Sequence, residues 1–218
     1  MRKINPKSYQ YIENLSENEN LNKLTARENS EKLGLNKISL SKAEAQILQF
    51  FVASIEAKKV VEIGTLTGLS ALYILESLPA DACLWTIEKS SEHANLAAEV
   101  LAPFIKTHRC KLLIGDAKEK LQELSSLAPF DLVFIDGNKA AYLDYFNWAV
   151  ENVKTAGLII ADNIFLAGAV WGDQTTQKFN EKQIRVVNEM NQLAFSTHKL
   201  KSIIVPTEEG LLICKKLS

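Results

Sequence analysis

Histidine and cysteine are scarce, with three of each in 218 residues. His93, His108 and His198 are scattered and fall into no zinc-binding spacing, while Cys83, Cys110 and Cys214 are odd in number and each sits in an apolar run. A zinc module and a disulfide framework are thereby excluded, and buried free thiols are expected. No apolar run approaches the length needed to cross a bilayer, and Met1-Arg2-Lys3-Ile4-Asn5-Pro6 lacks the apolar stretch of a signal peptide. A cytoplasmic protein with no membrane partner is the expectation. Excess charge of one sign is missing too: Lys and Arg total 25 against 26 Asp and Glu, for a net charge of −1. Nothing global draws the chain to nucleic acid. Internal repeats and low-complexity segments are absent.

Hydrophobic residues are plentiful, at 47%, enough for one sizeable core. A single domain over residues 1–218 is expected, with 1–37 as a helical extension. The central stretch is Lys59-Val60-Val61-Glu62-Ile63-Gly64-Thr65-Leu66-Thr67-Gly68-Leu69-Ser70. An apolar run ends in a carboxylate, and a turn with two glycines opens into a helix, the signature of a strand-turn-helix unit. G-x-G-x-x-G is not present, and Glu62 would repel a pyrophosphate, which argues against a nicotinamide oxidoreductase. Glu62 would instead attract a ligand carrying an ammonium or sulfonium, such as S-adenosylmethionine. Gly64 and Gly68 are expected to let the backbone approach that ligand.

Downstream, strands and helices alternate. Strands are predicted at Cys83–Glu88, Cys110–Ile114, Phe130–Asp136 and Gly157–Asp162, with helices from about Ser91 to Leu101, Ala117 to Leu124 and Tyr142 to Val153. Near-continuous apolar strands separated by helices imply a parallel sheet covered on both faces. Before them, Ser41-Lys42-Ala43-Glu44 reads as a capping box opening a helix. After them, a long helix is predicted near Thr175 to Ala194. Leu200–Val205 and Leu211–Lys216 then lie so close in sequence that only an antiparallel hairpin can join them.

Ligands of open α/β sheets bind outside the carboxyl ends of the strands. Glu62, Glu88, Asp116, Asp136 and Asp162 all fall at or near such ends. Glu88 follows Gly68 by twenty residues and suits a ribose, whereas Asp116 suits either an adenine amino group or a helix N-cap. Asp136-Gly137-Asn138-Lys139 and Asp162-Asn163 offer an all-oxygen set fit for a hard divalent ion such as Mg²⁺, with Lys139 as a base beside the bound oxygen. Trp171, in the apolar loop beyond, reads equally as a platform for a planar acceptor or as core.

Three segments, Val61 to Ser70, Ile135-Asp136-Gly137-Asn138-Lys139-Ala140-Ala141-Tyr142 and Ala161-Asp162-Asn163, together resemble the cation-dependent class I O-methyltransferases. Catechol, caffeoyl-CoA and tRNA 5-hydroxyuridine methyltransferases belong to that family. The resemblance spans Ile38 to the C-terminus; Asn138 stands where many members have a second Asp, and Ala45 where Gly is common. It implies a Rossmann-like α/β fold with a seven-stranded, mostly parallel sheet of order 3-2-1-4-5-7-6. It also implies an S-adenosylmethionine pocket lined by Ile38, Glu62, Gly64, Ser70, Glu88, Ala117 and Asp136, to which the reading of strand ends adds Asp116. Asp136, Asp162 and Asn163 would hold Mg²⁺ or another divalent cation such as Mn²⁺ or Ca²⁺, and Lys139 would be the base, with Asp136 beside it in the catalytic set. Bacterial members are commonly homodimers.

The acceptor stays open. A small hydroxylated aromatic with vicinal oxygens suits a near-neutral protein, whereas a tRNA would need a positive rim from Lys3, Lys7, Lys23, Arg27, Lys32 and Lys37. A catalytically silent methyltransferase fold serving as a binding module is the non-enzyme alternative.

Overall fold

Strand and helix alternate as the apolar pattern requires, and the computed structural model describes them over residues 6–16, 18–35, 39–173 and 178–218. Three helices come first: α1 (Pro6–Leu15), α2 (Leu21–Lys32) and α3 (Lys42–Ser54). The alternating part follows as β1 (Lys59–Ile63), α4 (Leu69–Ser77), β2 (Cys83–Glu88), α5 (Ser91–Lys106), β3 (Cys110–Ile114), α6 (Ala117–Leu124), β4 (Phe130–Ile135), α7 (Tyr142–Asn152) and β5 (Val153–Ala161). Then come α8 (Glu181–Ser196), β6 (Leu200–Val205) and β7 (Leu211–Lys216).

The sheet order is β3-β2-β1-β4-β5-β7-β6. β1 to β5 run parallel, and β7 lies antiparallel to both β5 and β6. Because side chains alternate across a strand, each central strand feeds two cores. Val60, Leu132, Phe134 and Ile160 pack with Leu48, Val52, Leu72 and Leu101 from α3, α4 and α5. Val61, Val133, Ile135 and Ile159 pack on the other face with Phe146, Ala149, Val187 and Met190 from α7 and α8. Ala26 of α2 joins the first core, so that helix packs on the sheet's helical cover.

Several boundaries differ from expectation for local reasons. α5 runs past Pro103 to Lys106, because Phe104 and Ile105 pack on the first core and an internal proline forfeits only one backbone bond. α8 begins at Glu181, not Thr175, because Asn180 and Gln183 close a capping box there; Thr175 itself lies outside the described residues. The capping box of Ser41 and Glu44 forms as expected. All three cysteines are free, with Cys110 and Cys214 buried and Cys83 half-buried. Among the described residues no helix is long and apolar enough to cross a membrane.

Candidate functional site

A cavity of about 370 Å³ opens at the carboxyl ends of β1, β2, β3 and β4, within the range of small-molecule and cofactor sites. Gly64, Ser70, Glu88, Asp116, Ala117, Asp136, Lys139 and Asn163 all line it. Glu62 and Asp162 do not, although both were expected on this rim; they are buried behind it, 0% and 2% exposed. Ile38 lies outside the described residues.

Strand alternation explains Glu62. Val61 and Ile63 point to the α7 face, so Glu62 turns under the first turn of α4, where the Thr86 hydroxyl donates to its Oε2 at 2.5 Å and Oε1 finds no hydrogen-bond partner. Burial pushes its carboxyl from the ordinary 4.5 up to about 8, against the pull of Ser70 and Thr86 and with help from the Asp136 and Glu88 charges. The two glycines also have reasons other than the expected one. A Cβ on Gly64 would stand 2.1 Å from the carbonyl oxygen of Asp136, and one on Gly68 would stand 3.0 Å from Val100 of α5. Gly64 is required by the crossing of β1 past the end of β4, and Gly68 adopts φ 91° as the N-cap of α4.

Glu88 is the carpenter of this loop. Its Oε2 accepts from the backbone N–H of Thr65 at 3.3 Å and Leu66 at 2.9 Å, which holds Leu66 at a φ of 51°. Its Oε1 accepts from Ser90 N at 2.8 Å. Asp116 caps α6 through Lys118 N at 3.0 Å and also takes a bond from Lys89 at 3.2 Å.

At the other end of the cavity, Lys139 Nζ donates to Asp136 Oδ1 at 2.9 Å, Asn163 Oδ1 at 2.7 Å and Tyr142 Oη at 2.5 Å. Two oxygens from the ends of adjacent strands thus converge on one cationic atom. Asp162 lies just behind, its Oδ1 accepting from Asn163 N at 2.7 Å. Burial, then the Asp136 and Glu44 charges, push its carboxyl well above the usual carboxylate range, and Lys139 pulls only partly back. Lys139 is bonded to Asp136 and reaches Asp162 only through space, which leaves this end short of positive charge. Among the described residues no cluster of three or more His, Cys, Asp or Glu forms a metal site; the candidate set is two carboxylates and an amide, all oxygen donors, which fits a hard divalent ion and no soft one.

Sequence reasoning missed Tyr142 and Thr86 as members of the site. Tyr142 follows Lys139 by one helical turn, a signal that was readable. Thr86 needed the β1–β2 register, which sets it opposite Glu62. Trp171 is neither core nor cavity lining: it is 62% exposed and meets Phe165 edge-on at 5.1 Å. Phe179 lines the cavity mouth instead, with Lys178 and Glu209.

The sheet order, the reversed seventh strand and the cavity at the carboxyl edge define a class I methyltransferase fold. The O-methyltransferase family profile matches residues 12–217. A catechol O-methyltransferase of Niastella koreensis is 31% identical over 169 residues, covering 77% of this chain and 76% of that protein. Caffeoyl-CoA O-methyltransferase 1 of Arabidopsis thaliana is 27% identical, covering 96% and 84%. The O-methyltransferase TomG of Streptomyces achromogenes, solved with S-adenosylmethionine, superposes with a TM-score of 0.87 at 25% identity over 97% of this chain and 96% of its own. This chain belongs to the O-methyltransferase family and is an S-adenosylmethionine-dependent enzyme.

Proposed function

We propose that this enzyme is divalent-metal-dependent and methylates one hydroxyl of a small aromatic acceptor bearing vicinal oxygens. The observation that carries the reading is the convergence of Asp136 Oδ1 and Asn163 Oδ1 on a single cationic position, at 2.9 and 2.7 Å from Lys139 Nζ. Asp136, Asp162 and Asn163 would hold the ion, Mg²⁺ or a relative such as Mn²⁺ or Ca²⁺. A bound divalent cation supplies Lewis acidity that lowers the pKa of the acceptor hydroxyl.

The chain's own groups do the rest. Gly64, Ser70 and the start of α4 border the cofactor's side of the cavity, Glu88 offers remaining lone pairs to a ribose, and Asp116 and Ala117 border the place for a base. Glu62 lies buried behind the cavity, where the positive charge of a bound cofactor would favour its ionised form. Lys139 takes the proton from the hydroxyl as that oxygen bonds to the methyl carbon, and the sulfonium leaves as a thioether. Orientation of the two reactants is the protein's main contribution.

For tRNA, the expected positive rim is depleted. Lys23 is buried and paired with Glu76 at 2.5 Å, and Arg27 is paired with Glu19 at 2.7 Å; Lys3 and Lys37 lie outside the described residues. Incubation with labelled cofactor, with Mg²⁺ or EDTA, against catechols and unmodified tRNA tests the assignment. Labelled catechol in Mg²⁺ alone is expected. Full turnover in EDTA, or label in tRNA only, overturns it. A homodimer in light scattering belongs to the same reading.

A further inference from the structure

Two of the three acceptors around Lys139 Nζ, Asp136 Oδ1 and Asn163 Oδ1, are oxygens that the reading above gives to a divalent ion. The third is the hydroxyl of Tyr142, at 2.5 Å. We infer that Tyr142 is a positioning residue for methyl transfer: its hydroxyl oxygen anchors one N–H of the Lys139 amine and so aims the nitrogen's lone pair at the acceptor. The inference rests on Lys139 being the base.

The geometry suits an anchor. Tyr142 is fully buried at the start of α7, where its hydroxyl reaches the carbonyl oxygen of Asp162 at 3.1 Å and that of Ile135 at 3.4 Å. Its one proton is spent on these sheet carbonyls, so a lone pair is left facing Lys139. The tyrosine ring borders the amine as well, with Nζ 4.6 Å from the ring centroid. Oη is therefore fixed by the ends of β4 and β5, the same strand ends that carry Asp136 and Asp162. Asp136 Oδ1 and Asn163 Oδ1 are the oxygens that a divalent ion would claim, so Tyr142 Oη is the acceptor left to hold the nitrogen in place.

Tyr142→Phe removes the hydroxyl and leaves the ring. The expected result is a kcat lower by about tenfold or more, with the acceptor KM and the calorimetric Kd for S-adenosylmethionine changed less than about twofold. In a Lys139→Met background the same substitution should alter the residual rate, read by labelled methyl over long incubations, by less than about twofold. Equal losses in both backgrounds, a weakened cofactor Kd in step with kcat, or an unchanged kcat would each overturn the inference. 3-Fluorotyrosine at position 142 keeps the fold and weakens the acceptor, so its kcat should fall below that of the unmodified enzyme; no fall overturns the inference even if the Phe variant fails to fold. Full turnover by Lys139→Met would sink the base assignment itself, whereas a dead Lys139→Met with an unaffected Tyr142→Phe would sink only the anchor.

Discussion

Each end of β4 places an Asp against a lysine, and the two pairs live under opposite rules. At the start of the strand, Asp131 takes Lys154 at 2.5 Å on Oδ1 and the backbone N–H groups of Lys58 and Lys59 at 2.8 and 2.7 Å on Oδ2. Burial works against its charge, yet Lys154 and the two backbone donors win and hold its carboxyl below the usual range. Past the end of the strand, Asp136 shares its lysine with Asn163 and Tyr142, and Asp162 behind it is pushed upward. The first carboxylate is electrostatically finished and does not line the carboxyl-edge cavity. The second pair of carboxylates keeps unmet demand for positive charge at the floor of one. A satisfied acid ties the sheet together, whereas an unsatisfied one is held ready for a ligand.

The comparison can be broken in order of expected effect. Lys139→Met should cut turnover by about 10²- to 10⁴-fold, the usual worth of a general base, with cofactor affinity by calorimetry retained. Asp162→Asn should cut turnover by about a hundredfold while raising the thermal midpoint of the free enzyme by about 2–4 °C, because a buried acid short of partners is lost. Asp131→Ala should do the reverse: a loss of about 2 kcal/mol in urea unfolding, with turnover per folded molecule unchanged. A stability loss at Asp162 or an activity loss at Asp131 would erase the distinction.

A pH dependence sharpens it. Glu62 has a folded-state carboxyl at about 8 against an ordinary 4.5, so between these values the native state holds a proton that the unfolded chain has released. Its stabilising share is complete below about 4.5 and is lost as pH rises through about 8, with a slope of at most about 1.4 kcal/mol per pH unit. Glu62→Gln should flatten the urea-unfolding stability of the cofactor-free enzyme across that window. An unchanged slope would mean that Glu62 is charged and paired like Asp131.

Much of this was legible in the residues. The strands at Cys83–Glu88, Cys110–Ile114, Leu200–Val205 and Leu211–Lys216 coincide with β2, β3, β6 and β7, since apolar runs bounded by turn residues constrain register strongly. The linked motifs around Glu62, Asp136 and Asp162 pointed to the family, and six of the eight residues expected in the cofactor pocket line the cavity. What the sequence could not show shares one cause. That Glu62 faces α4 and not the cavity, that Gly64 makes way for the Asp136 carbonyl, and that Lys23 and Arg27 are consumed by Glu76 and Glu19 all depend on partners distant in sequence.

Local order, the family and the class of reaction were written in the chain itself, because backbone pattern and side-chain type are local properties. Which carboxylate is quenched and which is left wanting was decided only by the packed sheet. Charge compensation is a sum over neighbours, and the neighbours are chosen by strand register and helix packing across tens of residues.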